Sequence, residues 1–352
     1  MKILRVLPAM DFGGIERGVY DFSLKATELG NKVVVVSEDG RFIDILKKRG
    51  IKHYNVPLDK KSITCFLKNS EKIKDIIEEE KPDIIHTQSR YPCWVMSYVM
   101  KSFPKTPWVT SIHSFNPVRI YSKSEGFGNK VIVVSNALKN YAVDYLKVDE
   151  KKIKVIHNGI SDKFTKIIKE RKTSVCIGMI SRFALYKGHF IFLEAIKQVI
   201  DKSNLDINVL IVGTGNSSYK SKLEEWIKNN GVQNIVRIVR EDSVEALKKI
   251  DILVVPSFVP EGFGRTVVEA QLSRTPVIGT NIGALPELIE DGKTGFLVDP
   301  KNSQQISEKI EYIIKNSDIR EEIIENALNN ALENFTLTNM VENTIQVYQE
   351  LL

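Results

Sequence analysis

Short apolar runs alternate with amphipathic stretches twice along this chain, once from Ile3 and again from Val175. A run of four to six apolar residues reads as a strand of a parallel sheet, covered on both faces. Parallel neighbours need a long crossover, and the amphipathic stretches supply it. The first series runs Ile3 to Leu7, a helix over about Ile15 to Leu29 stopped by Gly30, then Val33 to Val36. An amphipathic segment at Ser70 to Glu80 and strands at Asp83–His86, Trp108–Ile112 and Val131–Val134 complete it. The second series has strands at Val175–Ile180, Val209–Val212, Ile235–Val239, Ile252–Val255, Pro276–Ile278 and Thr294–Val298. Helices are expected over about Lys187–Asp201 and Ser218–Asn230, and through residues 303–352. The polar, lysine-rich stretch from Val155 to Lys172 reads as the linker. The pattern predicts the α/β class with two Rossmann-like, doubly wound parallel sheets, and 352 residues suit two cores. Open sheets bind ligands beyond the carboxyl ends of their strands, so two facing domains would make one cleft.

The densest chemistry lies in PSFVPEGFGRTVVEAQLSRTP, Pro256 to Pro276. A buried strand ends at Pro256, a loop carries Glu261, and Gly262-Phe263-Gly264 leads into a helix starting near Arg265. Unpaired N–H groups and the positive end of the dipole make such a helix start a phosphate site. Glu261 and Glu269 bracket it with seven residues between them. Carboxylates repel a diphosphate, so both suit sugar hydroxyls. A phosphate cradle between hydroxyl acceptors points to a sugar nucleotide. Arg182 and Lys187, with four residues between them after the strand Val175–Ile180, can converge on one diphosphate. Cations there oppose the helix dipole, which favours a functional purpose over a solvated helix start.

The Glu-x7-Glu motif with its Gly-Phe-Gly resembles that of the retaining glycosyltransferases of family 4, which have the GT-B fold of two facing domains. The resemblance extends from Gly13-Gly14 to Phe296-Leu297-Val298 with the motifs in order. It implies domains at about 1–165 and 166–336, with a last helix, 337–352, crossing back onto the first. It implies a hexosyl transfer from a nucleoside-diphosphate sugar to an acceptor hydroxyl of a glycan or glycolipid, with cell-surface glycan or lipopolysaccharide synthesis in bacteria as the setting. Arg182 and Lys187 would stabilise the leaving diphosphate, Glu269 would hold ribose, and Glu261 would hold the transferred sugar. Gly13 and Gly14, where a backbone can approach a ligand closely, would face the donor diphosphate and the acceptor. His113 would make a polar contact beside the sugar. Gly213-Thr214-Gly215 would adjoin the nucleotide, and the base would lie against Val239-Arg240. Segments Asn281–Glu287 and Asp291–Val298 would be architectural, with Ile282-Gly283 standing where a glycine pair is common.

The remaining features narrow the field. Gly213-Thr214-Gly215 resembles the start of a dinucleotide fingerprint, but Ser218 and Gln233-Asn234 stand where the third glycine and the acid belong, so NAD is excluded. No Asp-x-Asp and no ligand-spaced His/Cys/Asp cluster occurs, so no metal or other cofactor is expected. Three scattered cysteines and a short apolar start predict a reduced, cytoplasmic protein without a signal peptide. Residues 1–160 carry 27 Lys and Arg against 18 Asp and Glu, while the remainder carries 23 against 26. A basic first half suits an anionic membrane surface or acceptor, and hence peripheral attachment at the inner face of the cytoplasmic membrane. The lysines are spread out with no nucleic-acid module, which argues against nucleic acid. Two rival readings are an epimerase of the same fold and a non-catalytic sugar-nucleotide-binding protein.

Overall fold

The computed structural model describes residues 1–11, 13–58, 62–170, 173–203 and 205–352, with Ile120 described by its backbone. It divides into two compact units, Met1–Gly159 with Thr336–Leu352, and Ile160–Phe335. Along the first unit run β1 (Lys2–Ala9), α1 (Gly14–Glu28), β2 (Lys32–Glu38), α2 (Ile43–Lys48), β3 (Lys52–Asn55), α3 (Ile63–Glu80), β4 (Ile84–Gln88), α4 (Arg90–Val99), β5 (Trp108–Ile112), β6 (Lys130–Val133), α5 (Asn136–Asp144) and β7 (Ile153–Val155). The second unit contains β8 (Val175–Ile180), α6 (His189–Lys202), β9 (Ile207–Val212), α7 (Ser217–Asn229), β10 (Val236–Val239), α8 (Ser243–Lys249), β11 (Ile252–Val255), α9 (Arg265–Leu272), β12 (Val277–Thr280), α10 (Leu285–Leu288), β13 (Phe296–Val298), α11 (Ser303–Lys315) and α12 (Ser317–Asn334). The final helix, α13 (Leu337–Gln349), belongs to the first unit.

The first sheet has the order β3-β2-β1-β4-β5-β6-β7 and the second β10-β9-β8-β11-β12-β13. Every pair in both is parallel. Central strands such as β4 and β5 are buried at every position: Ile84, Ile85, Trp108, Val109 and Ile112 supply the apolar contacts, while His86, Thr87, Gln88, Thr110 and Ser111 carry polar groups into the same sheet. Alternation along β1 sends Ile3 and Leu7 to the face covered by α1 and α13, and Leu4 and Val6 to the face covered by α3 and α4. Phe22 of α1 meets Tyr348 of α13 edge to face, with centroids 6.2 Å apart.

Several elements differ from the sequence reading, each for a local reason. Ile153–Val155, beside the expected linker, joins the sheet as its edge strand against β6. Helix α3 begins seven residues before Ser70, because the Ser62 hydroxyl accepts from the Cys65 N–H and caps it there. Helix α4 escaped notice because Tyr91, Pro92, Cys93, Val95, Met96 and Val99 are all buried, leaving little polar face to mark its period. Helix α6 starts at His189 rather than Lys187, since a 3-10 turn at Leu185–Lys187 and Gly188 at φ +80° come first.

The strand orders mark one place in each sheet. Going outward from β1 and β4, the chain winds in opposite directions, and the same is true of β8 and β11. Crossovers diverge there and leave a crevice beyond the strands' carboxyl ends. In the second unit that crevice is bounded by the loop after Ile180 and the loop after Val255, which carry Arg182–Lys187 and Glu261.

Candidate functional site

In the second unit the loop after β8 is braced against the loop after β9. The Ser181 N–H donates to the Val212 carbonyl and the Phe183 N–H to the Thr214 carbonyl, both at 2.9 Å. Phe183 then bridges to Gly215. A Cβ on Gly213 would run into the Ser181 carbonyl, so this glycine is what lets the two loops lie together. The Gly213 N–H is itself used, donating to the Val239 carbonyl at 3.1 Å. Arg240, exposed just past β10, lies on the outermost strand of this sheet, two strands from Arg182.

The loop carrying Lys187 is pulled onto the loop carrying Glu261. Gly188 has φ +80°, and a Cβ there would strike the Pro256 carbonyl. The Phe258 N–H donates to the Tyr186 carbonyl at 3.0 Å. Held this way, Lys187 Nζ donates to Glu261 Oε1 at 2.5 Å, and Ser257 Oγ donates to the same oxygen at 2.5 Å. The Lys187 and Glu261 side chains are only 16% and 19% exposed. Their attraction is thus screened less than that of a surface pair. Arg182 is exposed and reaches the Tyr186 hydroxyl at 3.4 Å, while Lys187 Nζ lies 5.6 Å over the ring of the same tyrosine.

Glu261 is gripped from behind by a segment the sequence reading set aside as architectural. The Ala284 N–H donates to the Glu261 carbonyl at 3.0 Å. Gly283 sits at φ +63°, and a Cβ would lie 2.6 Å from the Glu261 nitrogen and 2.7 Å from its oxygen. Thr280 Oγ1 donates to the Ser257 carbonyl at 2.6 Å, steadying the hydroxyl that supports the carboxylate. Ser257, which was not singled out, and Gly283, read only as part of an architectural segment, therefore position the candidate residues. For Gly283 the available signal was a glycine after Asn281-Ile282, where a left-handed turn needs one. Gly283→Ala combines a disfavoured φ with a clash against fixed backbone. It should cost about 2 kcal/mol or more of stability, read as a drop in the denaturant midpoint.

Past Gly262, Phe263 is buried and meets Phe335 edge to face at 6.0 Å. Gly264 caps α9 at φ +113°, where a Cβ would lie 2.7 Å from Leu285 Cδ2. Arg265 opens the helix, with its Nε 4.0 Å from Oε1 of the buried Glu269 one turn on. A cation facing the second carboxylate thus comes from its own helix.

In the first unit Gly13 precedes α1 in extended conformation and Gly14 is its first residue; both are exposed at the carboxyl end of β1. His113 follows β5, half-buried, with its Nε2 2.9 Å from the Gln88 side-chain nitrogen at the end of β4. Burial first, and the Arg5 charge second, hold the ring down to about 3, so it is neutral at ordinary pH. Among the described residues no three or more His, Cys, Asp and Glu side chains are gathered to hold a metal ion. Nor is any helix there long and apolar enough to cross a membrane.

Comparison with known proteins agrees with this architecture. The family model for glycosyl transferases group 1 matches residues 161–330, and that for glycosyltransferase family 4 matches residues 12–164. An uncharacterized glycosyltransferase of Methanocaldococcus jannaschii is 30% identical over 312 residues, covering 85% of this chain and 84% of its own. The crystal structure of a glycosyltransferase from Rickettsia africae is 30% identical with a TM-score of 0.89, over 99% of this chain and 98% of that one. Anabaena HepE, crystallised with UDP and glucose, shares the fold at 22% identity, with a TM-score of 0.85 over 99% of both chains. Two Rossmann-like parallel-sheet units, both family models and a relative matched over most of its length lead to one conclusion: the chain belongs to the family 4 (group 1) glycosyltransferases of the GT-B fold.

Proposed function

We propose that the protein is a retaining glycosyltransferase that moves a hexosyl group from a nucleoside-diphosphate sugar to an acceptor hydroxyl. The observation that carries the reading is the contact of Lys187 and Ser257 with Glu261 at the switch point of the second sheet. A cation suited to phosphate next to a carboxylate suited to sugar hydroxyls is the juxtaposition a sugar diphosphate requires, which supports the reading. On binding, Lys187 exchanges Glu261 for a diphosphate oxygen, and Glu261 turns its freed lone pairs to the sugar. Arg182, exposed at the same crevice, adds a planar fork to the diphosphate. Glu269 takes the ribose hydroxyls, and the base lies against Arg240. The bond from the anomeric carbon to the phosphate oxygen breaks while the acceptor oxygen bonds to that carbon on the same face. The departing phosphate accepts the acceptor's proton. Charge on the leaving group is met by Lys187, Arg182 and the start of α9 in the place of a metal ion.

The acceptor side belongs to the first unit, with Gly13-Gly14 and His113 near the sugar. Its basic balance suits a lipid-linked acceptor at an anionic membrane surface, as in the building of a cell-surface glycan or lipopolysaccharide. HepE binds UDP and glucose, and UDP-glucose is accordingly the first donor to try.

The test is thermal unfolding of the wild type and Glu269→Ala against UDP-, GDP- and ADP-sugars. A ligand at 100 times its dissociation constant adds about 2.7 kcal/mol of stability. A stabilisation by one nucleotide class, lost in the variant, is the expected result. No shift with any donor would overturn the reading.

A further inference from the structure

The first unit buries a cation that the site as described leaves unexplained. Arg5, in the middle of β1, is 3% exposed, and among the described residues no carboxylate pairs with it. Its Nη1 lies 2.9 Å from His86 Nδ1 and 2.9 Å from the Tyr348 hydroxyl, and the guanidinium sits 4.3 Å over the Phe22 ring. Its Nε has no partner. The Tyr348 hydroxyl is also 2.5 Å from His86 Nδ1, while His86 Nε2 meets Ser111 Oγ. A guanidinium does not give up its proton, so this is a fixed positive charge in the core.

The register extends the cluster to the carboxyl edge of the sheet. Arg5 is paired with His86, and Gln88 with Ser111. Alternation puts His86 and Gln88 on one face, along with Ser111 and His113, and Arg5 shares that face. Guanidinium and phenol donate to His86 Nδ1, so the His86 proton is on Nε2 and points at Ser111. The Gln88 amide donates to His113 Nε2, which leaves the His113 proton on Nδ1. Of the elements over this face, α13 contributes the Tyr348 phenol and α1 contributes Phe22, and the neighbouring buried Asp21 carboxylate is bonded to Arg17 at 3.0 and 3.1 Å.

We propose that Gln88 is a positioning residue that fixes the His113 proton on Nδ1, and that the charge of Arg5, buried on the same face of the sheet, keeps that ring neutral. His113 then meets the substrate as a hydrogen-bond donor of fixed direction and never as a cation. The titration of both rings agrees. His86 is held well below the usual histidine range by burial, then by Arg5 and then by His113, and His113 is lowered by burial and then by Arg5. The chemical use of this ring rests on the transferase reading above; the state of the ring does not.

The experiment is nitrogen-15 NMR of the histidine side chains across pH, with His113 assigned by a His113→Asn spectrum. The wild type should show His113 protonated on Nδ1 and untitrated through neutral pH. Arg5→Met keeps the contact with Phe22 and removes the charge; the His113 midpoint should rise by about one unit or more. Should that variant fail to fold, Gln88→Met leaves Arg5 in place and should abolish the tautomer preference. An Nε2-protonated His113 in the wild type, an unmoved midpoint in folded Arg5→Met, or an unchanged tautomer in Gln88→Met would each overturn the proposal. These readouts need no turnover. A protein that binds and transfers no sugar, yet shows the expected spectra, would sink the transferase reading and leave the positioning of His113 standing.

Discussion

Lys187→Ala should lower turnover by about 10²- to 10³-fold, the scale on which one preorganised charge contact in a closed site matters. Lys187 is the better buried of the two candidate cations and the one seated on Glu261. Its loss removes positive charge where the diphosphate departs and leaves Glu261 with the Ser257 hydroxyl alone, so repulsion of the donor adds to the deficit. Lys187→Arg should rescue little, because a planar fork does not fit where a compact ammonium reaches one carboxylate oxygen. Arg182→Ala should cost less, since its side chain is exposed and loosely held. The measurement is nucleoside diphosphate release at saturating donor. Near-normal release by Lys187→Ala would remove Lys187 from the chemistry.

Glu125→Gln should make the protein more stable in alkali than the wild type. Glu125 lies in a 3-10 turn over Ile120–Gly126; it is 3% exposed, and its Oε2 has no partner. Burial lifts the carboxyl to about 8, against a smaller opposing pull from Arg90. The sign follows from proton binding. Between the ordinary glutamate range and pH 8 the folded state keeps a proton that the unfolded chain has lost, so stability falls as pH rises through this window. Above pH 8 both states are ionised and the loss levels off. From pH 6 to pH 9 the wild type should lose on the order of 3 kcal/mol through this group, at about 1.4 kcal/mol per pH unit. Glutamine retains the shape without the charge and should escape that loss. Melting curves of both proteins at pH 6 and pH 9 decide it, and parallel declines would refute a buried protonated Glu125.

Legibility of the sequence varied with how local the physics is. Trp108–Ile112 was read to the residue, because Trp108, Val109, Thr110 and Ile112 are all residues that favour a covered strand. Gly30 was read as a helix stop and stands at φ +81°. Helix α4 was missed, being buried on most sides, and Ile153–Val155 was missed because an edge strand of three residues has exposed polar positions. Lys187 and Glu261 both stood out as candidates, each from the strand that precedes it. Their contact did not, since 73 intervening residues separate them and only the adjacency of β8 and β11 brings them together. Gly283 is the opposite case, read only as part of an architectural segment, though the Glu261 backbone lies against it.

The sequence by itself determined the two series of strands and crossovers, the glycines at helix ends and the candidate charges, because periodicity, capping and burial act over a few residues. The tertiary structure alone decided the strand orders, and with them which loops share a crevice. It also decided that Lys187 sits on Glu261, and that an arginine from β1 lies buried against a tyrosine from α13. Those outcomes depend on register and packing between segments far apart in the chain, where a residue's neighbours are chosen by the sheet and not by its place in the sequence.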